Sequence, residues 1–293
     1  MINIFVGDGR LGNQIFQYAA IRRHLGDEKI LTPNLRGLLK VFKAPANLDI
    51  FFISGAAEKI ARRILVPLLV KPLFKWLRLG TYCHEPMGRM PNGSSDPCGE
   101  MVISKGLLPV TLVDGGFYQN LSDALTPADF QCLTIRDDVL AQARAVIITA
   151  MAGRPWPGAV MHVRRGDYVG YTAYGLDDLL LPVEYFHRAA LAARRHMGEA
   201  AEILVVTDDP LWCEKELTGL KPFTVVSGSE AVDFALLSMF PVSILSNSTF
   251  SLAAACVGPD VKKIIGPEFW FGHAVRQWYP PHIQSRDERF EYV

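Results

Sequence analysis

Hydrophobic residues fall along this chain in two registers. Short apolar runs rich in valine and isoleucine alternate with longer stretches in which apolar residues recur every three or four positions, most regularly after residue 158. The short runs read as strands and the longer stretches as helices. The second half then reads as strand Ala159–Val163, helix 183–197, strand Ile203–Val206, a helix from about 210, strand Phe223–Val226, helix 230–239, strand Val242–Leu245, helix 249–256 and strand Lys263–Ile265. The N-terminus opens the same way. Ile2–Val6 is strand-like, Gly7–Gly12 is a turn, and a helix runs to about Leu25 with Ile15, Phe16, Ala19 and Ile21 as its apolar stripe and Asn13 as its cap. Val110–Val113 reads as a strand, 136–151 as a helix, and 85–105, rich in glycine and proline, as a loop region.

Strands alternating with helices predict an α/β fold of βαβ units on parallel sheets. Right-handed crossovers gather the strand C-termini on one edge, where ligands of open α/β sheets bind. Gly153-Arg154-Pro155-Trp156-Pro157-Gly158 reads as a linker, which divides the chain into 1–153 and 154–293.

Composition adds limits. The 293 residues are 49% hydrophobic and 20% charged, enough for a substantial core. Thirty cationic and 30 anionic side chains cancel, which speaks against nucleic acid as a partner and confines any phosphate recognition to local sites. Five dispersed cysteines without a CxxC pair suit a reducing compartment, and the N-terminal apolar run is too short for a secretory signal. A cytoplasmic location is expected. Residues 59–79 are apolar with interleaved cations; Lys71, Lys75 and two prolines argue against a spanning helix. The stretch reads as an amphipathic helix, either packed on the domain with lysine stems covering apolar surface or lying peripherally on the inner face of an anionic membrane.

The densest chemistry lies at Val160-Met161-His162-Val163-Arg164-Arg165-Gly166-Asp167-Tyr168. Two arginines leaving a buried strand present planar donor forks that fit phosphate oxygens in pairs. In an extended segment they point to opposite faces, so one faces the ligand and the other holds the loop through Asp167 or Asp209. His162 shares the side of Arg164, as a nucleotide contact or as an ordinary strand-end histidine. Gly7-Asp8-Gly9-Arg10-Leu11-Gly12 matches G-x-G-x-x-G after a strand and before a helix. The acid expected at the end of the next strand is misplaced, because Asp27 precedes that strand, and this weakens a dinucleotide reading.

The residues beyond those glycines favour another reading. Gly9-Arg10-Leu11-Gly12-Asn13-Gln14-Ile15-Phe16-Gln17-Tyr18-Ala19 resembles the N-terminal signature of the α-1,2-fucosyltransferases, glycosyltransferase family 11. His162–Tyr168 resembles that family's HxRRxDY motif. Ser246-Asn247-Ser248-Thr249-Phe250-Ser251 with Ala253–Ala255 is similar to its third motif, with Leu252-Ala253 where the family has a tryptophan pair. Gly115-Gly116-Phe117-Tyr118-Gln119 matches a further short element. The matches keep the family's order from residue 7 to about 271, and the chain resembles the bacterial members. The resemblance implies a GT-B-like fold, two Rossmann-type domains facing a cleft. It implies GDP-β-L-fucose as donor, no metal, inversion at the anomeric carbon, and an α-1,2-linked product on a galactose-containing glycan, as in glycan or O-antigen biosynthesis.

Under that resemblance the candidate roles can be assigned. The chain has no Asp-x-Asp motif to hold a divalent ion, so Arg164 is expected to neutralise the β-phosphate. Asp167 and Asn13 complete the catalytic candidates. Arg10, Gly12 and Gln14 would approach the pyrophosphate from the opposite domain, and Ser248, Thr249 and Phe250, with Asn247, form a second phosphate cradle at a helix start. Asp233 would accept guanine N–H groups, or else favours its own helix dipole. Asp208 and Asp209 would bind ribose or orient Arg165. Asp167, Asp8 and Glu184 are conceivable general bases, a late proton transfer without a base is another route, and the spacing selects none. The alternatives are a transferase for another deoxysugar nucleotide and a non-catalytic GDP-sugar or glycan-binding module.

Overall fold

A computed structural model of the chain describes residues 2–33, 35–51 and 61–293. Two six-stranded sheets carry it. The first is built from β1 (Ile2–Phe5), β2 (Ile30–Thr32), β3 (Leu48–Ile50), β4 (Gly80–His84), β7 (Val102–Ser104) and β8 (Leu108–Val113), in the order β3-β2-β1-β8-β4-β7. Its pairs are parallel except β4 with β7. Between β4 and β7, β5 (Met87–Arg89) and β6 (Ser95–Pro97) form a separate hairpin. The second sheet contains β9 (Ala159–Val163), β10 (Ile203–Thr207), β11 (Phe223–Val226), β12 (Val242–Ile244), β13 (Lys263–Gly266) and β14 (Phe290–Tyr292). It is parallel throughout, in the doubly wound order β11-β10-β9-β12-β13-β14.

Helices cover the sheets: α1 (Leu11–Leu25), α2 (Arg36–Val41), α3 (Lys71–Lys75), α4 (Asp137–Met151), α5 (Val183–Met197), α6 (Pro210–Glu216), α7 (Glu230–Ser238) and α8 (Thr249–Val257). All five residues of β9 are buried, as expected of a central parallel strand. Ala159, Met161 and Val163 join the core under α5, whereas Val160 joins the core between the two sheets. That second core is continuous across both halves of the chain. Phe16 meets Phe130 edge-on at 5.0 Å, Phe42 meets Phe234 at 5.4 Å, and Phe234 meets Phe250 at 5.4 Å. This shared apolar core sets the two sheets in a fixed relation.

Several expectations need correction. Region 85–105 is not a plain loop: β5 and β6 pair around a turn at Met90–Ser94 in which Gly93 takes φ +85°. These strands are too short and too rich in glycine and proline to alternate visibly. Asn13 is not the helix cap. Arg10 holds that position without a side-chain cap, and Asn13 lies inside the first turn. Residues 59 and 60 of the basic apolar stretch lie outside the described residues. The remainder is a π-type run, Ala61–Val70, containing Pro67, followed by α3. Trp76, Leu68 and Leu77 are exposed there. Among the described residues no helix is long and apolar enough to cross a membrane.

Candidate active site

In each sheet the chain winds outward from one strand and returns to its other side, so β1 and β8, and likewise β9 and β12, flank a switch point. The four loops after these strands face one cavity of about 750 Å³. Gly9, Arg10, Gly12, Asn13, Phe117 and Gln119 line it from the first half, together with Asp96 and Pro97 of the β5–β6 hairpin. His162, Arg164, Asp167, Tyr168, Asp208, Asp233 and Ser248–Phe250 line it from the second, with Tyr171–Tyr174, Trp270 and Phe271 as an aromatic wall.

Arg164 is the centre of a charge network. Its Nε donates to Asp167 Oδ1 at 2.9 Å, Nη2 lies 2.6 Å from the same oxygen, and Nη1 lies 3.1 Å from Asp208 Oδ2. Asp167 Oδ2 accepts from Arg10 Nη1 at 2.8 Å, an ion pair that crosses the cavity between the two halves of the chain. Asp208 Oδ1 is held by the Arg165 amide at 2.9 Å. The guanidinium is thereby fixed on two sides, with the cavity on the third.

Arg165 does not line the cavity. It pairs with Asp209 at 3.2 Å and its guanidinium stacks 4.2 Å from the Trp212 ring, while Asp209 also accepts the Trp212 amide as N-cap of α6. Arg165 and Asp209 are therefore supports of the loop rather than ligand contacts. Asn247 is buried and donates to the Leu179 carbonyl at 2.7 Å, and Gln14 turns back to the Gly9 carbonyl at 3.1 Å. Neither lines the cavity. In each case a backbone carbonyl close in space, invisible to sequence spacing, claims the amide.

Asn13 joins the halves: its Oδ1 accepts from Gln119 Nε2 and from Thr249 Oγ1, both at 2.9 Å. Beside it the N-termini of α1 and α8 converge. A Cβ on Gly12 would lie 2.7 Å from the Phe250 amide nitrogen and 2.8 Å from the Thr249 carbonyl carbon. Neither helix has an acidic residue in its first turn. Two positive dipole ends thus face one space with Arg10 and Arg164 close by, an arrangement that favours an anion between them.

His162 is buried against Phe250, ring centroids 5.8 Å apart, and its Nδ1 has no partner. Burial, aided by Arg164, pulls its pKa down to about 3, so it stays neutral and offers hydrogen-bonding capacity without charge. Asp233 goes the other way: burial raises its pKa to about 6, with the nearby charge of Asp208 adding to the rise, although the Gly228 amide, 2.9 Å away, favours its ionised form. Among the described residues no group of three or more His, Cys, Asp or Glu is arranged to hold a metal ion.

Residues 115–268 match the model of glycosyl transferase family 11. The chain belongs to this family. The match takes in the loops of β9 and β12 and the α7 start, and leaves the α1 turn outside it. An O-antigen biosynthesis glycosyltransferase, WbnK of Escherichia coli, is 31% identical over 116 residues, 38% of either chain. The mouse galactoside 2-alpha-L-fucosyltransferase Sec1 is 26% identical over 257 residues, 84% of this chain and 62% of the relative. The chain thus spans about three-fifths of that relative's length. Among solved structures, POFUT1 in complex with GDP superposes with a TM-score of 0.51 at 12% identity over 90% of this chain and 97% of that one. The likeness is one of fold: two Rossmann-like domains facing a cleft, the GT-B arrangement.

Sequence reasoning missed Gln17, which is buried inside α1 and ties the loop after β1 to the loop after β8, donating to the Asp8 and Gly116 carbonyls at 2.9 and 2.7 Å. A polar residue within the apolar stripe of this family helix was its signal. It also missed Glu85, whose half-buried carboxylate accepts the Gly99 and Phe117 amides at 2.6 Å each. The aromatic wall comes from loops without periodic pattern, and Asp96 from a three-residue strand too short to show one. Tyr174 and Trp270 in that wall hold φ of 57° and 53°, strained values of the kind that collect at functional sites.

Proposed function

We propose that this family 11 member transfers L-fucose from GDP-β-L-fucose to the 2-hydroxyl of a galactosyl glycan with inversion. The observation that carries the reading is the pair of helix N-termini converging at a cavity that Arg10 and Arg164 also line, an arrangement that favours a diphosphate. The names of the relatives, galactoside 2-alpha-L-fucosyltransferases and an O-antigen glycosyltransferase, supply the sugar and the linkage. Negative charge grows on the β-phosphate as the glycosidic bond breaks, and Arg164, preorganised by Asp167 and Asp208, meets it without a metal ion. His162 offers a neutral hydrogen bond beside it. Ser248 and Thr249 sit at the α8 N-terminus, and Asp233, also lining the cavity, takes the guanine. In this reading residues 1–153 form the acceptor side and 154–293 the nucleotide domain.

Calorimetric titration with GDP, ADP and UDP tests the reading; GDP is expected to bind at least tenfold more tightly than the others, and equal affinities would sink it. The same titration run from about pH 5 to 8 tests Asp233. A carboxylate must be ionised to accept both N1–H and N2–H of guanine. Its pKa of about 6 in the free protein therefore makes GDP affinity rise with pH and level off above 6, with a loss approaching about tenfold per pH unit well below that value. Asp233→Asn should flatten the profile.

The exposed Leu68, Trp76 and Leu77 and the cations Lys75 and Arg78 fit peripheral contact with an anionic membrane, which would place the enzyme on the cytoplasmic face. Lys71 is not among those cations, since it is paired with Asp114 at 2.7 Å. Co-sedimentation with vesicles containing phosphatidylglycerol, but not with pure phosphatidylcholine vesicles, is the expected result. Equal recovery in both supernatants would count against membrane contact.

A further inference from the structure

We propose that Asp96 is the general base that takes the proton from the acceptor hydroxyl; this rests on the transferase reading above. Five carboxylates line the cavity: Asp96, Asp167, Asp208, Glu230 and Asp233. Asp167 is clamped between Arg10 and Arg164, and Asp208 between Arg164 and the Arg165 amide. Asp233 and Glu230 sit in the first turn of α7, the turn that in the reading above meets the guanine. A carboxylate locked onto guanidinium is a poor proton acceptor, and one in the turn that meets the guanine is not free for the acceptor.

Asp96 differs on both counts. It is the carboxylate contributed to the cavity by the first half of the chain, and among the described residues no cation pairs with it. Ser94 Oγ–H donates to its Oδ2 at 2.6 Å, which fixes the carboxylate and leaves lone pairs on Oδ1 for a second partner. The hairpin that carries it is stitched to the opposite half, because Asn92 Nδ2 donates to the Tyr174 carbonyl at 2.6 Å. Asp96 therefore sits beside the wall formed by Tyr171, Tyr174 and Phe271, where Tyr174 and Phe271 stack at 6.0 Å. Flat aromatic faces with a carboxylate at their edge suit a sugar ring, whose apolar face packs on the rings while a hydroxyl reaches the acid. Burial, together with the charges of Asp96 and Glu85, pushes the Tyr174 phenol up, so it stays protonated and keeps its O–H as a donor. Arg10 and Asp167, which also line the cavity, are already paired with each other.

The step balances. The acceptor oxygen uses a lone pair to form the bond to C1 of the fucosyl group as its O–H proton passes to Asp96. The C1–O bond to the β-phosphate breaks, and its electron pair leaves with GDP at Arg164. Asp96 then releases the proton to solvent.

The test is steady-state transfer from GDP-fucose to phenyl β-D-galactoside by Asp96→Asn and Asp96→Glu, with GDP titration and circular dichroism as controls for folding. Asp96→Asn is expected to lower kcat by at least about 10²-fold, the scale of a lost general base. It should leave GDP affinity within twofold and remove the limb of the kcat profile that rises from acid pH. Asp96→Glu should recover part of the rate and restore the limb. A wild type that transfers while Asp96→Asn keeps kcat within threefold, or retains the acid limb, overturns the proposal alone. A wild type that binds GDP yet transfers nothing overturns it together with the transferase reading.

Discussion

Replacing Arg164 by alanine is expected to cut kcat for fucosyl transfer by about 10²–10³-fold, about 3–4 kcal/mol of transition-state stabilisation, while the protein stays folded. Under the proposed transfer, the charge that Arg164 would meet develops only as the leaving group departs, so the loss falls on kcat more than on donor KM. Folding survives because each partner keeps another contact: Asp167 retains Arg10 and Asp208 retains the Arg165 amide. The ion pairs themselves are partly exposed and contribute little to stability. Arg164→Lys should recover little, since one ammonium cannot hold Asp167 and Asp208 while also meeting a phosphate. Arg165→Ala, which loses the Asp209 pair and the Trp212 stack, should cost far less and should appear as a lower unfolding midpoint. Kinetics with GDP-fucose beside a thermal melt decide the matter: an Arg164→Ala enzyme within tenfold of wild type would remove the arginine from the mechanism.

The contrast between the two arginines shows how far a sequence carries. Alternation along β9 and its exit predicts that adjacent side chains diverge, and one arginine faces the cavity while the other braces the loop. Most of the parallel sheet of the second half was legible because β9 to β13 are short apolar runs separated by helices; β14, Phe290-Glu291-Tyr292, was missed, since it has three residues, no β-branched side chain and no α-helix before it. The first sheet was less so. Its β4 follows a proline-interrupted segment, β7 runs antiparallel, and the β5–β6 hairpin has no alternation to detect. Long-range contacts were out of reach for the same reason. Asn13 reads as a helix cap because asparagine before a helical stripe usually is one, yet its carbonyl oxygen is taken by Gln119 and Thr249, 106 and 236 residues away. Asp96 and the aromatic wall meet where Asn92 ties a hairpin of one half to a loop of the other.

Gly12→Ala should destabilise the protein and weaken GDP binding together, although helix propensity alone points the other way. Gly12 is in the first turn of α1 with an ordinary helical backbone, and alanine there would gain up to about 1 kcal/mol if the space were open. It is not open. The added Cβ would sit 2.7 Å from the Phe250 amide nitrogen, 2.8 Å from the Thr249 carbonyl carbon and 2.9 Å from Thr249 Oγ1. Two of those atoms are backbone at the start of α8 and cannot rotate aside as a side-chain end would. Relief requires α1 and α8 to separate, which stretches the Asn13–Thr249 hydrogen bond and strains the apolar core that both helices bury against. Overpacking of this kind costs about 1–3 kcal/mol, enough to outweigh the propensity gain. The same displacement draws apart the two helix N-termini whose fields add at the cavity, so affinity for a diphosphate should fall with stability. A thermal melt and a GDP titration of the one variant check both. The expected result is a midpoint lowered by a few degrees and a dissociation constant for GDP at least tenfold weaker. A variant as stable as wild type with unchanged GDP affinity would mean that the helix ends are free to move and that their convergence does not build the anion site.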